Sequence, residues 1–254
     1  MLPIPESLQT EGFTSPRILR EPPLYYRAYC AIKQEIARGN LKPGQRLTDK
    51  DLAEYLGISR TPVREAVKLL IKEGLLVSEP NKGVWVFAPS ARDLAQIYVL
   101  RAELEGLAAA LMACNNDRLA IVDRMERIVS EAASAARETA IEKLVELNSE
   151  FHDCIVTGSA NEQLRELLEP LRLRAVAYRY VSYRDPLRVE VSITEHREIV
   201  GLLRGGDPRH CQEAVRRHIY AAGWRLLAAL GGNEEISGDP GVKLCTTRGQ
   251  GSRP

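Results

Sequence analysis

Three of the four histidines in this chain stand in contexts where an imidazole can act as a ligand. His152 lies in LVELNSEFHDCI with Asn148 four residues ahead of it, a spacing that sets both side chains on one face of a helix, within reach of a single ion. His196 lies in SITEHREIVGLL and His218 in EAVRRHIYAAGW, on two further helical segments. Imidazole is the commonest metal ligand, yet each of these residues taken singly is more simply a polar or partly buried structural histidine. The fourth, His210, follows Pro208 at a helix start and reads as solvated.

A second set of residues suits a polyanion. In DKDLAEYLGISRTPVREAVK, residues 49 to 68, a small Ala53 permits close helix crossing, Gly57 tolerates a left-handed turn, and Val63 locks the crossing. Leu52, Leu56 and Ile58 supply the first apolar contacts, and Val63, Ala66, Val67, Leu70 and Ile71 recur at helical period. The opposite face carries Thr61, Arg64, Glu65, Lys68 and Lys72. Pro62 fits a first turn, where a missing N–H costs nothing, and Ser59 or Thr61 can cap the exposed amides. The pattern is a helix-turn-helix whose second helix starts near 59 to 61. That places Ser59, Arg60, Thr61 and Arg64 at the end that meets base edges when such a motif docks on DNA.

The elements that position these groups follow from the flanking sequence. Two β-rich runs, 75 to 79 and 84 to 88, surround the turn-forming Pro80, Asn81 and Gly83, as in the hairpin wing of a winged helix, with Lys82 at its tip. Residues 24 to 38 form an amphipathic helix ended by Gly39-Asn40, and Lys42-Pro43-Gly44 turns into the next element. From 90 to 230 the pattern is helical throughout. Ser90 with Asp93 resembles a capping box opening a helix to about 115, and helices follow over 117–136, 139–156, 162–183, 187–204 and 208–230. So many amphipathic faces require a bundle, and about 140 residues suffice for its own core. The fold class is therefore mainly α: a winged helix-turn-helix over 21–89, then an all-α antiparallel bundle over 90–230. Residues 1–20 and 231–254, rich in Gly, Pro and polar types, read as mobile tails.

Composition bounds the rest. With 44% hydrophobic and 27% charged residues over 254 positions, the chain is an ordinary globular protein of about two domains. The uncharged run from Gly106 to Asn116 is too short to span a membrane, and the N-terminus carries no basic-then-apolar signal, so a cytoplasmic location is expected. The five cysteines are scattered and odd in number, with no C-x-x-C pair, which fits reduced thiols. Residues 21–90 hold 11 Lys and Arg against 8 Asp and Glu, whereas 91–230 hold 19 against 21, so a net +3 sits on the first unit and −2 on the second. So small an excess does not hold DNA tightly by phosphate neutralisation alone, and two copies on one duplex, a homodimer on an inverted repeat, are expected.

The stretch LKPGQRLTDKDLAEYLGISRTPVREAVKLLIKEGLL followed by GVWV resembles the DNA-binding domain of the GntR family of bacterial transcription regulators, in which PG, LA, the S-R-T-P-V-R-E run and EGL recur in this order. The resemblance implies operator contacts for Ser59, Arg60, Thr61 and Arg64, a phosphate or groove-edge contact for Lys50, and a minor-groove contact for Lys82 and Gly83. Lys50 stands where relatives often carry Arg, and its ammonium lacks the fork that reads guanine bidentately. Further on, RAELEGLAAALMA (101–113), NSEFH (148–152), the break at 158–161 and EHREIVGLLRGGDPRHCQEAVRRH (195–218) resemble the ligand-binding bundle of the FadR subgroup, in its metal-binding, six-helix VanR-like form.

That second resemblance implies a divalent ion held by Asn148, His152, His196 and His218, which helps to bind a carboxylate effector. Many relatives carry Asp at the position of Asn148, and an amide oxygen is a weaker ligand for a hard cation. Three imidazoles suit Zn²⁺, Ni²⁺ or another first-row ion, with positions left open for an effector oxygen. Arg101 stands where the family often places a carboxylate-binding Arg. Arg174 belongs to a crowd with Arg172, Arg179 and Arg184 among Tyr178, Tyr180 and Tyr183, which is a second carboxylate clamp or, more simply, a dimer seam or solvated face. The expected function is a transcription regulator, a repressor, whose operator affinity a small organic acid controls. The alternatives are a regulator that senses the metal itself, or a metal-dependent hydrolase. The latter is disfavoured because Glu150 and Asp153 flank His152 in sequence and so point away from its helix face.

Overall fold

The computed structural model describes residues 22–79 and 83–229, with the side chains of 176, 177 and 179–181 outside that description. The expectations for Lys82, for the side chains of Arg179 and Tyr180, and for the two tails therefore lie outside the described residues.

The N-terminal unit is built from α1 (Leu24–Ala37), β1 (Arg46–Leu47), α2 (Asp49–Leu56), α3 (Arg60–Lys72), β2 (Leu76–Glu79) and β3 (Gly83–Val86). Thr48 starts α2 by accepting a hydrogen bond from the Asp51 amide at 3.1 Å, and Gly57 ends it at φ 64°, in the left-handed region that a β-carbon makes costly. The helix-turn-helix geometry follows, with Val63, Ala66 and Leu70 of α3 fully buried against Leu52 and Ala53 of α2 and Ala28, Ile32 and Ile36 of α1. Ser59 sits at the N-cap of α3 but makes no side-chain cap bond, which corrects the capping expectation. The wing is antiparallel, with Leu76 opposite Val86 and Glu79 opposite Gly83. β3 also pairs with β1, Arg46 opposite Trp85, so β3 is the central strand of a three-stranded sheet, one strand more than expected.

The C-terminal unit holds six helices: α4 (Ala91–Ala113), α5 (Arg118–Arg137), α6 (Ile141–Gly158), α7 (Glu162–Ser182), α8 (Pro186–Gly205) and α9 (Pro208–Ala229). The capping box is present. The Ser90 hydroxyl accepts from the Asp93 amide at 3.2 Å while the Asp93 carboxylate accepts from the Ser90 amide at 2.9 Å. Asp185 caps α8, Pro186 fills its first position, and Gly206 ends it at φ 77°. Short turns fold successive helices back on one another, so each apolar face meets a neighbour. α4 lies at the centre, packed by α6, α7, α8 and α9, and for that reason carries apolar residues all round. Phe151, Met112, Met125, Ile155 and Leu203 are among the fully enclosed side chains of the core.

Candidate metal centre and nucleic-acid interface

The bundle brings the three histidines together. His152 on α6, His196 on α8 and His218 on α9 are all buried, and their ligand-bearing nitrogens lie within 4.8 Å of one another. The Nε2 atoms of His196 and His218 approach to 3.2 Å, and the His196 ring stacks on Phe151 with centroids 3.9 Å apart. Residues 44 and 22 positions apart meet because each helix presents its histidine to the same interior point. No periodicity in the sequence encodes that convergence.

The outer nitrogens are held by carboxylates. His152 Nδ1 lies 2.7 Å from Glu105 Oε2, and His218 Nδ1 lies 2.6 Å from Glu195 Oε2. A carboxylate on Nδ1 fixes the tautomer so that Nε2 offers its lone pair inward, and raises its basicity as a ligand. Each carboxylate is in turn anchored by a guanidinium. Arg101 donates to Glu105 through Nε at 2.9 Å with Nη2 at 2.8 Å, and Arg225 reaches the two oxygens of Glu195 at 3.0 and 2.8 Å. Burial alone would raise both acids. For Glu105 the Arg101 and His152 charges outweigh it and hold the carboxyl well below the usual range; for Glu195, hydrogen bonds from His218 and Arg225 bring it down to about 2. Both acids thus stay ionised and poised to orient imidazole.

Asn148 stands on α6, one turn before His152, and is nearly buried. Its Oδ1 accepts a hydrogen bond from Tyr183 Oη at 2.8 Å. A narrow polar pocket opens at the histidines, lined by Arg101, Asn148, His152, Tyr183 and His218 together with Arg188, Ser192 and Arg225. Among the described residues no acidic side chain lines it, whereas three guanidinium groups do. Donors of this kind, three imidazoles of which two have their tautomers fixed by carboxylates, and a nearby amide oxygen, fit a divalent first-row ion.

The other expected residues fall elsewhere. Arg174 is not among the residues lining the pocket; its Nη2 donates to the Glu73 carbonyl at 2.5 Å and its guanidinium lies over the Phe87 ring, 5.5 Å from the centroid. Glu150 pairs with Arg124 and Asp153 with Arg172 on the outer side of α6, so neither acid is turned to the histidines. His210 is exposed beside Asp207 at 3.0 Å, as a solvated helix-start residue.

On the winged unit, Ser59, Arg60, Thr61 and Arg64 are all exposed at the start of α3. Arg64 donates through Nε to Asp49 at 2.6 Å while remaining 62% exposed, which leaves its other nitrogens available. Lys50 is equally exposed on α2, 3.8 Å from Glu54. Gly83 opens β3 at φ 123°, and a β-carbon there would come within 3.3 Å of Arg46 Nε.

Sequence reasoning passed over Arg46, Glu105, Arg188, Glu195 and Arg225. A signal existed for one of them: Glu105 stands four residues after Arg101 in a largely apolar helix, and a charged pair there has to be satisfied internally. For Glu195, which pairs with a histidine two dozen residues away, the sequence holds no comparable cue.

A winged helix with an exposed, cationic recognition-helix end, followed by a separate six-helix domain, defines a DNA-binding transcription regulator of the winged-helix class. Residues 24–86 match the family described as bacterial regulatory proteins, gntR family, and residues 96–221 match the FCD domain. The chain is 31% identical over 201 residues to the "Uncharacterized HTH-type transcriptional regulator YdhC" of Bacillus subtilis, covering 78% of this chain and 87% of that one. It is 29% identical over 192 residues to the "Probable D-xylose utilization operon transcriptional repressor" of Paenarthrobacter nicotinovorans, covering 75% and 83%. The structure of McbR/YncC from E. coli superposes with a TM-score of 0.74 at 26% identity, over 84% of this chain and all of that one. The chain belongs to the GntR family of bacterial transcription regulators, with an FCD domain at its C-terminal side. These relatives are regulators rather than enzymes, and among the described residues no helix is long and apolar enough to cross a membrane.

Proposed function

We propose that this regulator is a cytoplasmic repressor that binds an inverted-repeat operator as a homodimer and releases it when a small carboxylate effector occupies a metal-containing pocket in the FCD domain. The observation that carries this reading is the convergence of three buried imidazoles, two of which, His152 and His218, have their outer nitrogens held by ionised carboxylates. His152, His196 and His218 would hold Zn²⁺ or Ni²⁺, with Asn148 as a further oxygen donor; when bound, such an ion attracts a carboxylate oxygen as a Lewis acid. Arg101, Arg188 and Arg225 on the pocket wall supply positive charge for the same anion. Ser59, Arg60, Thr61 and Arg64 would read the major groove, with Lys50 on the backbone and Lys82 and Gly83 toward the minor groove. A relative named as a probable repressor supports the sign of the response.

Elemental analysis tests the site. The wild-type chain should carry about one ion per subunit, and the His152→Ala/His196→Ala double variant none, because a single imidazole cannot hold the ion against water. A full complement in the double variant would sink the metal reading. Operator binding followed first against Zn²⁺ and then against small organic acids at fixed Zn²⁺ separates effector control from direct metal sensing, since a complete response to Zn²⁺ alone favours the sensor.

A further inference from the structure

α7 reaches the histidine pocket at one end and, further back along its length, touches α1 and the C-cap residue of the recognition helix. Just past its C-terminus, Tyr183 donates to Asn148 Oδ1 at 2.8 Å and forms part of the pocket wall. Five residues earlier, Tyr178 donates to the Pro89 carbonyl at 3.2 Å, in the connection between the two units. One turn before that, Arg174 donates to the carbonyl of Glu73 at 2.5 Å, and Leu173 packs on the apolar core of the winged unit. Glu169 completes the row by pairing with Lys33 of α1 at 2.8 Å.

The Arg174 and Glu169 contacts converge on one residue. Glu73 is the C-cap of α3, the helix that presents Arg60, Thr61 and Arg64. Its carbonyl is held by Arg174, and its carboxylate accepts from Tyr29 Oη at 2.5 Å and lies 3.1 Å from Lys33 Nζ, the same ammonium that Glu169 holds. The fit is tight at the next position, since a β-carbon on Gly74, at φ +67°, would collide with the Arg174 guanidinium. Pro170, the residue that interrupts the hydrogen bonding of α7, lies before Arg174. The stretch from Arg174 to Ser182, about 12 Å at 1.5 Å per residue, is an unbroken length of helix that ends next to Tyr183.

We propose that α7 couples the histidine pocket to the recognition helix, with Tyr183 as the residue that reads the state of Asn148 and Arg174 as the one that holds the end of α3. The inference rests on the metal-site reading above. An ion or effector that draws on the Asn148 oxygen competes for the lone pairs that Tyr183 now uses, and only residues 184 and 185 separate that tyrosine from α8, which carries His196. A change at the pocket is thereby delivered to both ends of the same short turn, and α7 carries it to Glu73. Coupling needs a physical element that both sites bias, and α7 is in contact with both.

Hydrogen exchange on the full-length protein, stripped with EDTA and then saturated with Zn²⁺, tests this, with bound zinc quantified by a chromophoric chelator. In the wild type, zinc should change exchange across residues 69–79 by at least about fivefold, the lower end of ordinary allosteric coupling. Arg174→Met should bind zinc as the wild type does and lose that difference, and Tyr183→Phe should lose it at verified saturation. A wild-type segment indifferent to bound zinc overturns the proposal. So does an Arg174→Met protein that exchanges faster in both states yet keeps the zinc-dependent difference, because the contact would then only join the units. A wild type that binds neither Zn²⁺ nor Ni²⁺ overturns the metal-site reading and this inference with it.

Discussion

Glu195 shows how much of a ligand site lies outside its ligands. Its carboxylate bridges His218 and Arg225, so it sets the imidazole tautomer while the guanidinium keeps it ionised. Glu195→Gln should lower zinc affinity by about 10- to 100-fold, the usual cost of losing such a partner, measured by chelator competition. Glu105 is the less informative position, because its removal would strand the buried Arg101 charge and cost about 3 to 5 kcal/mol of stability besides. On the other unit, Arg64→Ala should cost about 1 to 3 kcal/mol of operator affinity if its guanidinium pairs bidentately with a base. Unchanged binding in a fluorescence-anisotropy titration would remove it from the interface. The histidines were legible as candidates from their helical contexts, and Asn148 with His152 from their i,i+4 spacing. Arg174 was not legible in the same way: its place in a row of arginines fits a dimer seam or solvated face more readily than a clamp, and only packing reveals that it meets Glu73.

At the scale of elements, local rules placed the helices, although Ser59 occupies its N-cap position without making the side-chain bond expected of it. The capping box at Ser90 and the glycine stop at Gly206 bound their helices as their chemistry requires. Ser90→Ala should destabilise the C-terminal unit by about 0.5 to 2 kcal/mol, read as a lower urea midpoint with an unchanged slope. A shift in the slope instead would mean that more than the cap was lost. Strand β1 escaped, since two residues cannot show an alternation and their pairing with β3 is made by the tertiary fold alone. It brings Arg46 beside Gly83 and over the Trp85 ring, at 6.0 Å from the centroid, adding a cation at the base of the wing.

At the scale of the molecule, the proposed assembly follows from charge. A net +3 on residues 21–90 gives one winged unit few counterions to release, so a lone copy binds weakly and two linked copies gain through effective concentration. Sedimentation at micromolar concentration should therefore give a dimer, and operator affinity should fall steeply with salt. A monomer that still binds a palindromic operator tightly would contradict the assembly.

Sequence by itself determined the order and type of nearly every helix, the helix-turn-helix with its exposed basic end, and the family, because periodicity, caps and turn residues act over a few positions. Tertiary structure decided which side chains share a site. The three imidazoles, the two carboxylates behind them and the α7 contacts with Glu73 join residues far apart in the chain, and their meeting depends on how each helix is rotated against its neighbours, which is fixed by side-chain interdigitation across the whole core.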